Sequence, residues 1–356
     1  MKRLIKYNSI LSFDKVSRNL KNHCSYHNLQ VPTVNVHLTE KIHGTNGAVC
    51  YSEPDGFWVQ SRENIITVEK DNAGCALFCM KREKQWMKLI HELAEAYDID
   101  LTQNIISIYF EFAGGKIQSN SALTGVEKLS IIFEHFKVSP LEPIVKDNKL
   151  VSVDNQSAIW LPTKNKLGEW IDLPEDLIYN INKIGDVKTF IVDFNNPKLY
   201  FNQLNEIVQK IEQESIVGKN FDKNNIGEGV VGTFTFNDML YKFKVKGEKH
   251  TKSKIKKLKV VDEEFEKKKV KFAEKVVTPS RCEQGWQKVF GIENEKHEPN
   301  IKKIGEFLKW IHEDILKEHS DDLIDMELEY KKVNSTVTFL AREWFLEQIE
   351  EYNLKG

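Results

Sequence analysis

Apolar and polar positions alternate along much of the first 250 residues, the period-two rhythm of half-buried strands. Residues 34 to 41, VNVHLTEK, show it clearly, and residues 47 to 62 read as two short strands turning through Pro54-Asp55-Gly56. Further strands are predicted at 107 to 114 (SIYFEFAG), 129 to 138 (LSIIFEHFKV), 229 to 236 (GVVGTFTF) and 239 to 246 (MLYKFKVK). The last two close through Asn237-Asp238, a dipeptide suited to a tight hairpin turn. Helices are predicted at about 81 to 97 and 199 to 213, while 139 to 227 otherwise yields little. This order points to an antiparallel-rich α+β domain, not an alternating parallel one.

After about residue 260 the rhythm lengthens to that of helices. Ile301, Ile304, Phe307, Leu308, Ile311 and Ile315 recur at helical spacing, and Val337, Leu340, Trp344 and Phe345 repeat the device over 335 to 352. The chain therefore divides into a domain over 1 to 255 and a small all-α domain over 256 to 356, joined through a Lys-rich stretch at 249 to 271.

Composition narrows the class. The 356 residues, 40% hydrophobic and 29% charged, suit a soluble protein with two cores. No apolar run approaches a membrane span, and the basic start lacks the apolar stretch of a signal peptide. A cytoplasmic, soluble monomer is expected. Five scattered cysteines fit reduced thiols, and Cys75 and Cys79 are too few for a zinc site. The net charge of −2 conceals an asymmetry. Residues 241 to 275 hold 14 lysines against 6 acidic residues, whereas 276 to 356 hold 11 Lys and Arg against 17 Asp and Glu. A basic band of this kind suits a polyanion or simply a solvated face.

The chemistry centres on EKIHGTNGA at 40 to 48, where Lys41 stands among polar and small residues. A lysine that attacks near neutral pH must have its ammonium disfavoured by burial or by neighbouring cations. Lys242, Lys244 and Lys246 alternate along one strand, so all three emerge from one face and call for an anion such as a triphosphate with its metal ion. An edge strand wearing lysines against aggregation is the bland alternative. Glu111 and Glu228 each lie beside glycines at strand boundaries, where a carboxylate can reach a ribose hydroxyl or Mg²⁺.

Taken in order, Lys41-Ile42-His43-Gly44-Thr45-Asn46, Ser61-Arg62, Phe110-Glu111-Phe112-Ala113-Gly114, Ile132-Phe133-Glu134, Glu228-Gly229-Val230-Val231 and Lys244-Val245-Lys246 resemble the successive motifs of the covalent nucleotidyltransferases. Lys-x-His-Gly is similar to the RNA ligase 2 family of ATP-dependent polynucleotide ligases. DNA ligases and capping enzymes carry Asp in place of that His. The likeness runs over roughly residues 30 to 250, and YNSI at 7 to 10 also looks like the family's opening.

The resemblance implies a nucleotidyltransferase domain of the ATP-grasp-like ligase type and a role for each motif residue. Lys41 would attack the α-phosphorus of ATP to form lysyl-AMP. Glu40 and Asn46 would line the nucleotide pocket, Arg62 would contact phosphate, Glu111 would hold the ribose and Phe133 would stack on adenine. His43 would act when AMP moves to RNA, Glu228 would help place Mg²⁺ or Mn²⁺, and Lys244 and Lys246 would grip phosphates. It further implies RNA repair by sealing of nicked duplex or bridged ends, with the helical domain engaging RNA. The alternatives are a DNA ligase, a capping-type enzyme, or an inactive RNA-binding relative. NAD is not expected as donor, since only 40 residues precede Lys41.

Overall fold

The computed structural model describes residues 2–71, 73–119, 121–141, 145–146, 149–150, 158–247, 262–291 and 298–355. They form two compact units, the first drawing on Met1–Val16, Thr33–Val192 and Gln203–Lys257, the second on Ser17–Pro32, Asp193–Asn202 and Leu258–Gly356. The second unit thus takes two segments from within the first 255 residues. The Lys-rich stretch is described only from residue 262, where it enters the helix Glu263–Val276; residues 249 to 261 lie outside the described residues.

Two main sheets build the first unit, beside a two-stranded one of Val145–Lys146 and Lys149–Leu150. The larger runs in the order Ile159–Pro162, His135–Pro140, Asn104–Ala113, Thr45–Ser52, Gly56–Ser61, Ile65–Ile66, with Leu129–Ile132 also paired to Asn104–Ala113 and Ile178–Asn180 paired to Leu129–Ile132. Alternation along NIISIYFEFA sorts its two faces. Ile106, Ile108, Phe110 and Phe112 pack towards Trp86, Leu89, Ile90 and Leu93 of the helix Glu83–Ala96, with the Trp86 and Phe110 rings stacked at 5.2 Å. Trp86 is wholly buried, and truncating it to alanine would cost about 3–5 kcal/mol. Ile105, Tyr109 and Glu111 alternate onto the opposite face, where Tyr109 joins Ala48, Cys50 and Trp58.

The smaller sheet has the order Leu11–Ser12, Met239–Lys246, Gly229–Phe236, Thr33–Glu40, Asp186–Asp193. The hairpin of its second and third strands turns at Asn237 and Asp238, both with positive φ. That conformation is one Asn and Asp tolerate better than other side chains.

One predicted strand is not continuous. Residues 129 to 138 form two strands, Leu129–Ile132 and His135–Pro140, both antiparallel to Asn104–Ala113. Phe133 and Glu134 fall between them, outside the ladder. The sign in the sequence is slight: polar Glu134 and His135 stand together, and the apolar positions change phase from 129, 131 and 133 to 136 and 138. The strand Asp186–Asp193 and the short helix Ile216–Lys219, both within the stretch that yielded little, were likewise not predicted.

The second unit is helical, with Glu263–Val276, Pro279–Phe290, Ile304–Glu318 and Tyr330–Lys355 around Phe272, Trp286, Phe290, Phe307 and Phe345. Its helix starts are written locally. Asp262 and Thr278 accept from the Phe265 and Arg281 amides, and Pro279 occupies a first-turn position where no amide hydrogen is needed. No helix among the described residues is long and apolar enough to cross a membrane.

Candidate active site

The chain leaves the smaller sheet at Glu40 and enters the larger at Thr45, so residues 41 to 44 are the seam between them. Both ends of the seam are pinned. The Lys41 amide donates to Gly229 O at 2.9 Å, and the Gly44 amide donates to Glu111 Oε1 at 2.9 Å. Gly44 has no room for a side chain, since a Cβ would sit 2.4 Å from Phe112 O. The polar KIHG string that breaks the strand pattern is therefore the crossing itself.

A cavity of about 410 Å³ opens at this seam. Every residue the sequence singled out lines it: Lys41, His43, Glu228, Lys244 and Lys246, expected to act on phosphorus, and Glu40, Asn46, Arg62, Glu111 and Phe133, expected to hold the nucleotide. Tyr7, Glu134, Thr233 and Lys242 line it as well.

Glu228 is the electrostatic hub. Its carboxylate is almost wholly buried, with Oε2 2.5 Å from Lys41 Nζ and Oε1 2.5 Å from Lys246 Nζ, and His43 Nδ1 lies 3.6 Å from Oε2. Burial pushes this carboxyl upward, but the Lys41 and Lys246 ammonium groups outweigh it and hold it below the usual range. Gly229 makes the arrangement possible. Its φ of 144° and the 2.1 Å from a would-be Cβ to Val245 O exclude any side chain where the strand after Glu228 meets the lysine strand. The sequence expected cations around Lys41; the structure adds that a carboxylate is shared between two of them.

Lys244, midway along the face, has its amine pushed down by desolvation and then by Lys246, Lys41 and Arg62. Arg62 itself is exposed and donates to Ser9 Oγ at 2.8 Å, which ties the YNSI segment to the cavity mouth. Glu111 is pushed up to about 7 by desolvation, against the pull of Lys41 and the Gly44 amide.

Glu40 lines the cavity and is also held from behind it. Its carboxylate accepts from Ser215 Oγ at 2.6 Å and from the Val217 amide at 2.9 Å, and burial raises its pKa. The side chain anchors the start of the Ile216–Lys219 helix, so Glu40 contributes to the cavity as wall and support. No local signal links residue 40 to residue 215; only the fold does.

At the other end Glu134 bridges the sheets. Thr233 Oγ1 donates to its Oε2, and His37 Nδ1 lies 3.0 Å from its Oε1 while His37 Nε2 lies 2.9 Å from Asp186 Oδ1. Carboxylates only accept, so an imidazole spanning two of them must carry both hydrogens. The Glu134 hydrogen bond accordingly raises the His37 pKa, and His37 in turn helps hold Glu134 low against its own burial. Sequence reading assigned no role to His37, Glu134 or Thr233. The period-two spacing of His37 and Thr39, and of Val231 and Thr233, was the available signal that they share the cavity face.

No family model matches the sequence, and no curated protein matches it. Among solved structures the chain is similar to a Naegleria gruberi RNA ligase with pyrophosphate, at TM-score 0.38 and 14% identity, covering 68% of this chain and 57% of that one. A mutant of the same ligase with AMP and Mn gives 0.38 and 14%, covering 70% and 60%. An archaeal ATP-dependent RNA ligase gives 0.29 and 10%, covering 95% and 64%. The chain spans less than two thirds of the length of each. Likeness at this level decides neither family nor activity, so any reading of function has to rest on the geometry of the site.

Proposed function

We propose that the chain is an ATP-dependent RNA ligase whose Lys41 takes up AMP covalently. The observation that carries this is the convergence on one cavity of a seam lysine, two further strand lysines and one buried carboxylate that bridges two of the three. An ordinary edge strand has no need to aim its lysines at a buried acid.

The reading has three displacements at phosphorus. Lys41 Nζ attacks the α-phosphorus of ATP, pyrophosphate leaves, and a phosphoramidate forms. A 5′-phosphate of RNA then attacks the same phosphorus and releases the lysine, giving a 5′-to-5′ pyrophosphate. A 3′-hydroxyl finally attacks the RNA phosphorus and expels AMP. Such steps depend on placement and on cations that offset developing charge.

The residues fit these demands. Lys41 must leave Glu228 and give a proton to solvent before it can attack, and the triphosphate offers an anion to Lys244 and to Lys246 as that happens. Glu111, raised towards neutrality, can serve a ribose hydroxyl as acceptor or donor. Phe133, ejected from its strand, presents a ring for a base. Glu228, once released from Lys41, together with phosphate oxygens is a donor set that fits Mg²⁺, which when bound would neutralise charge on the leaving pyrophosphate. Nicked duplex or bridged RNA is the proposed substrate, as in repair, with the helical unit engaging its ends.

The test is incubation with labelled ATP or GTP and a divalent cation, followed by acid and alkali treatment of the protein. Label that survives alkali, is lost in acid and maps to residue 41 supports the reading. GTP labelling would indicate a capping-type enzyme. No label on folded protein that binds nucleotide would leave an RNA-binding relative. Sealing of nicked RNA against nicked DNA then separates the remaining alternative.

A further inference from the structure

The phosphate chemistry uses Lys41, Lys244 and Lys246 and leaves Lys242 without a task. Lys242 pairs across the hairpin with Thr233, and Thr233 pairs with His37, so these three form one row across the smaller sheet. Lys246 pairs with Gly229 four rows away, beside the Lys41 seam. Four residues of strand separate Lys242 from Lys246, about 13 Å at 3.3 Å per residue. That span is too long for one phosphate group and suits the length of a nucleoside 5′-phosphate.

The surroundings of Lys242 are those of a base rather than a phosphate. Its Nζ lies over the Trp160 ring at 4.5 Å and the Tyr7 ring at 5.0 Å, and donates to Tyr7 Oη at 3.2 Å. Tyr7 packs in turn on Phe133, ring centroids 5.2 Å apart. Among the described residues Lys242 makes no ion pair, and the carboxylate whose charge acts on it is Glu134. Desolvation holds its amine down at about 7. A donor lining a cavity in aromatic walls, without a carboxylate partner, is placed to meet an acceptor brought by a ligand.

Building on the adenylyltransferase reading, we propose that Lys242 and Glu134 read the base and select adenine over guanine. Lys242 donates to a ring nitrogen flanking C6, and Glu134 accepts from the exocyclic amine. His37 and Thr233 use two of the roughly four lone-pair sites of Glu134, leaving others open. Adenine presents a ring acceptor beside an amine donor, whereas guanine presents a carbonyl oxygen at C6, which would face the carboxylate.

The experiment compares equilibrium binding of ATP, 1-deaza-ATP, 7-deaza-ATP and GTP to the full chain. One of the two deaza analogues should bind about tenfold more weakly than ATP, and GTP at least as weakly. In Lys242→Met, ATP affinity should fall to that of the weak analogue, and the analogue itself should lose nothing further. Equal binding of ATP and both deaza analogues overturns the proposal, and that comparison needs no variant. So does a Lys242→Met loss of the same factor for every ligand, which would place the amine on phosphate. Lysyl-AMP formation with indifferent deaza analogues would sink the base assignment alone, while failure of any nucleotide to bind would remove the adenylyltransferase reading too.

Discussion

The two ends of the cavity solve the problem of buried charge in opposite ways. At the seam, Lys41, Lys246 and Glu228 give two cations to one carboxylate, a net positive cluster that is satisfied only in part. At the far end, Glu134 and Asp186 flank one imidazole, and Thr233 adds a neutral donor. The first arrangement invites an anion and must rearrange to react. The second pairs its charges locally and fixes one sheet against the other, with lone pairs of Glu134 and the Lys242 amine beside it still to be met. The covalent chemistry proposed for this site would need both a loose end and a fixed one.

The largest effect should come from the loose end. Lys41→Ala should abolish covalent labelling by ATP outright while the protein stays folded, with about 1–2 kcal/mol lost in urea because Glu228 keeps only Lys246. Retained acid-labile label would break the contrast, because the reactive amine would then lie elsewhere. Glu228→Ala should abolish labelling and also destabilise by about 1–3 kcal/mol in urea melts. That is less than the roughly 3–5 kcal/mol for severing a fully buried pair, since both lysines reach solvent and are partly screened.

The fixed end should respond in stability more than in chemistry. Thr233→Val keeps the shape but strips one donor from Glu134, and about 1–2 kcal/mol should be lost, with lysyl-AMP still forming. An unchanged urea midpoint would show that Glu134 is not fixed by this row.

The smallest effect is one of pH. The Glu111 carboxyl is raised to about 7 in the fold from an unfolded value near 4.5. Between those values the native state holds the extra proton, so stability from this group declines as pH rises from about 4.5 to 7 and levels off above. Glu111→Gln should flatten that decline. His37 and Lys242 also titrate differently in the fold, so the quantity to measure is the difference between variant and wild-type midpoints across pH 4 to 8. A difference that does not change with pH would contradict the raised value.

How far the sequence reached can be read from single residues. The strands Thr33–Glu40, Gly229–Phe236 and Met239–Lys246 follow from alternation and their turns, and the helices Ile304–Glu318 and Tyr330–Lys355 of the second unit from their period. Lys41, Glu228 and the strand lysines stood out as charged residues where strands pack apolar ones. Phe133 and Glu134 were legible as residues but were not read as a break, whose mark is only the change of apolar phase across Glu134 and His135. Glu40 was legible as an acid beside the lysine, but what holds it was not, because Ser215 and Val217 lie 175 and 177 residues away.

By itself the sequence determined the faces: period two and period 3.6 are properties of the local backbone, and they dictate which side chains share a surface. Which surfaces meet is not local. The pairing of Glu228 with Lys41, of Glu134 with His37 and Thr233, and of Glu40 with Ser215 each joins segments 97 or more residues apart. Only the tertiary structure could decide them, because their energy comes from desolvated charges and donors brought together when distant segments pack.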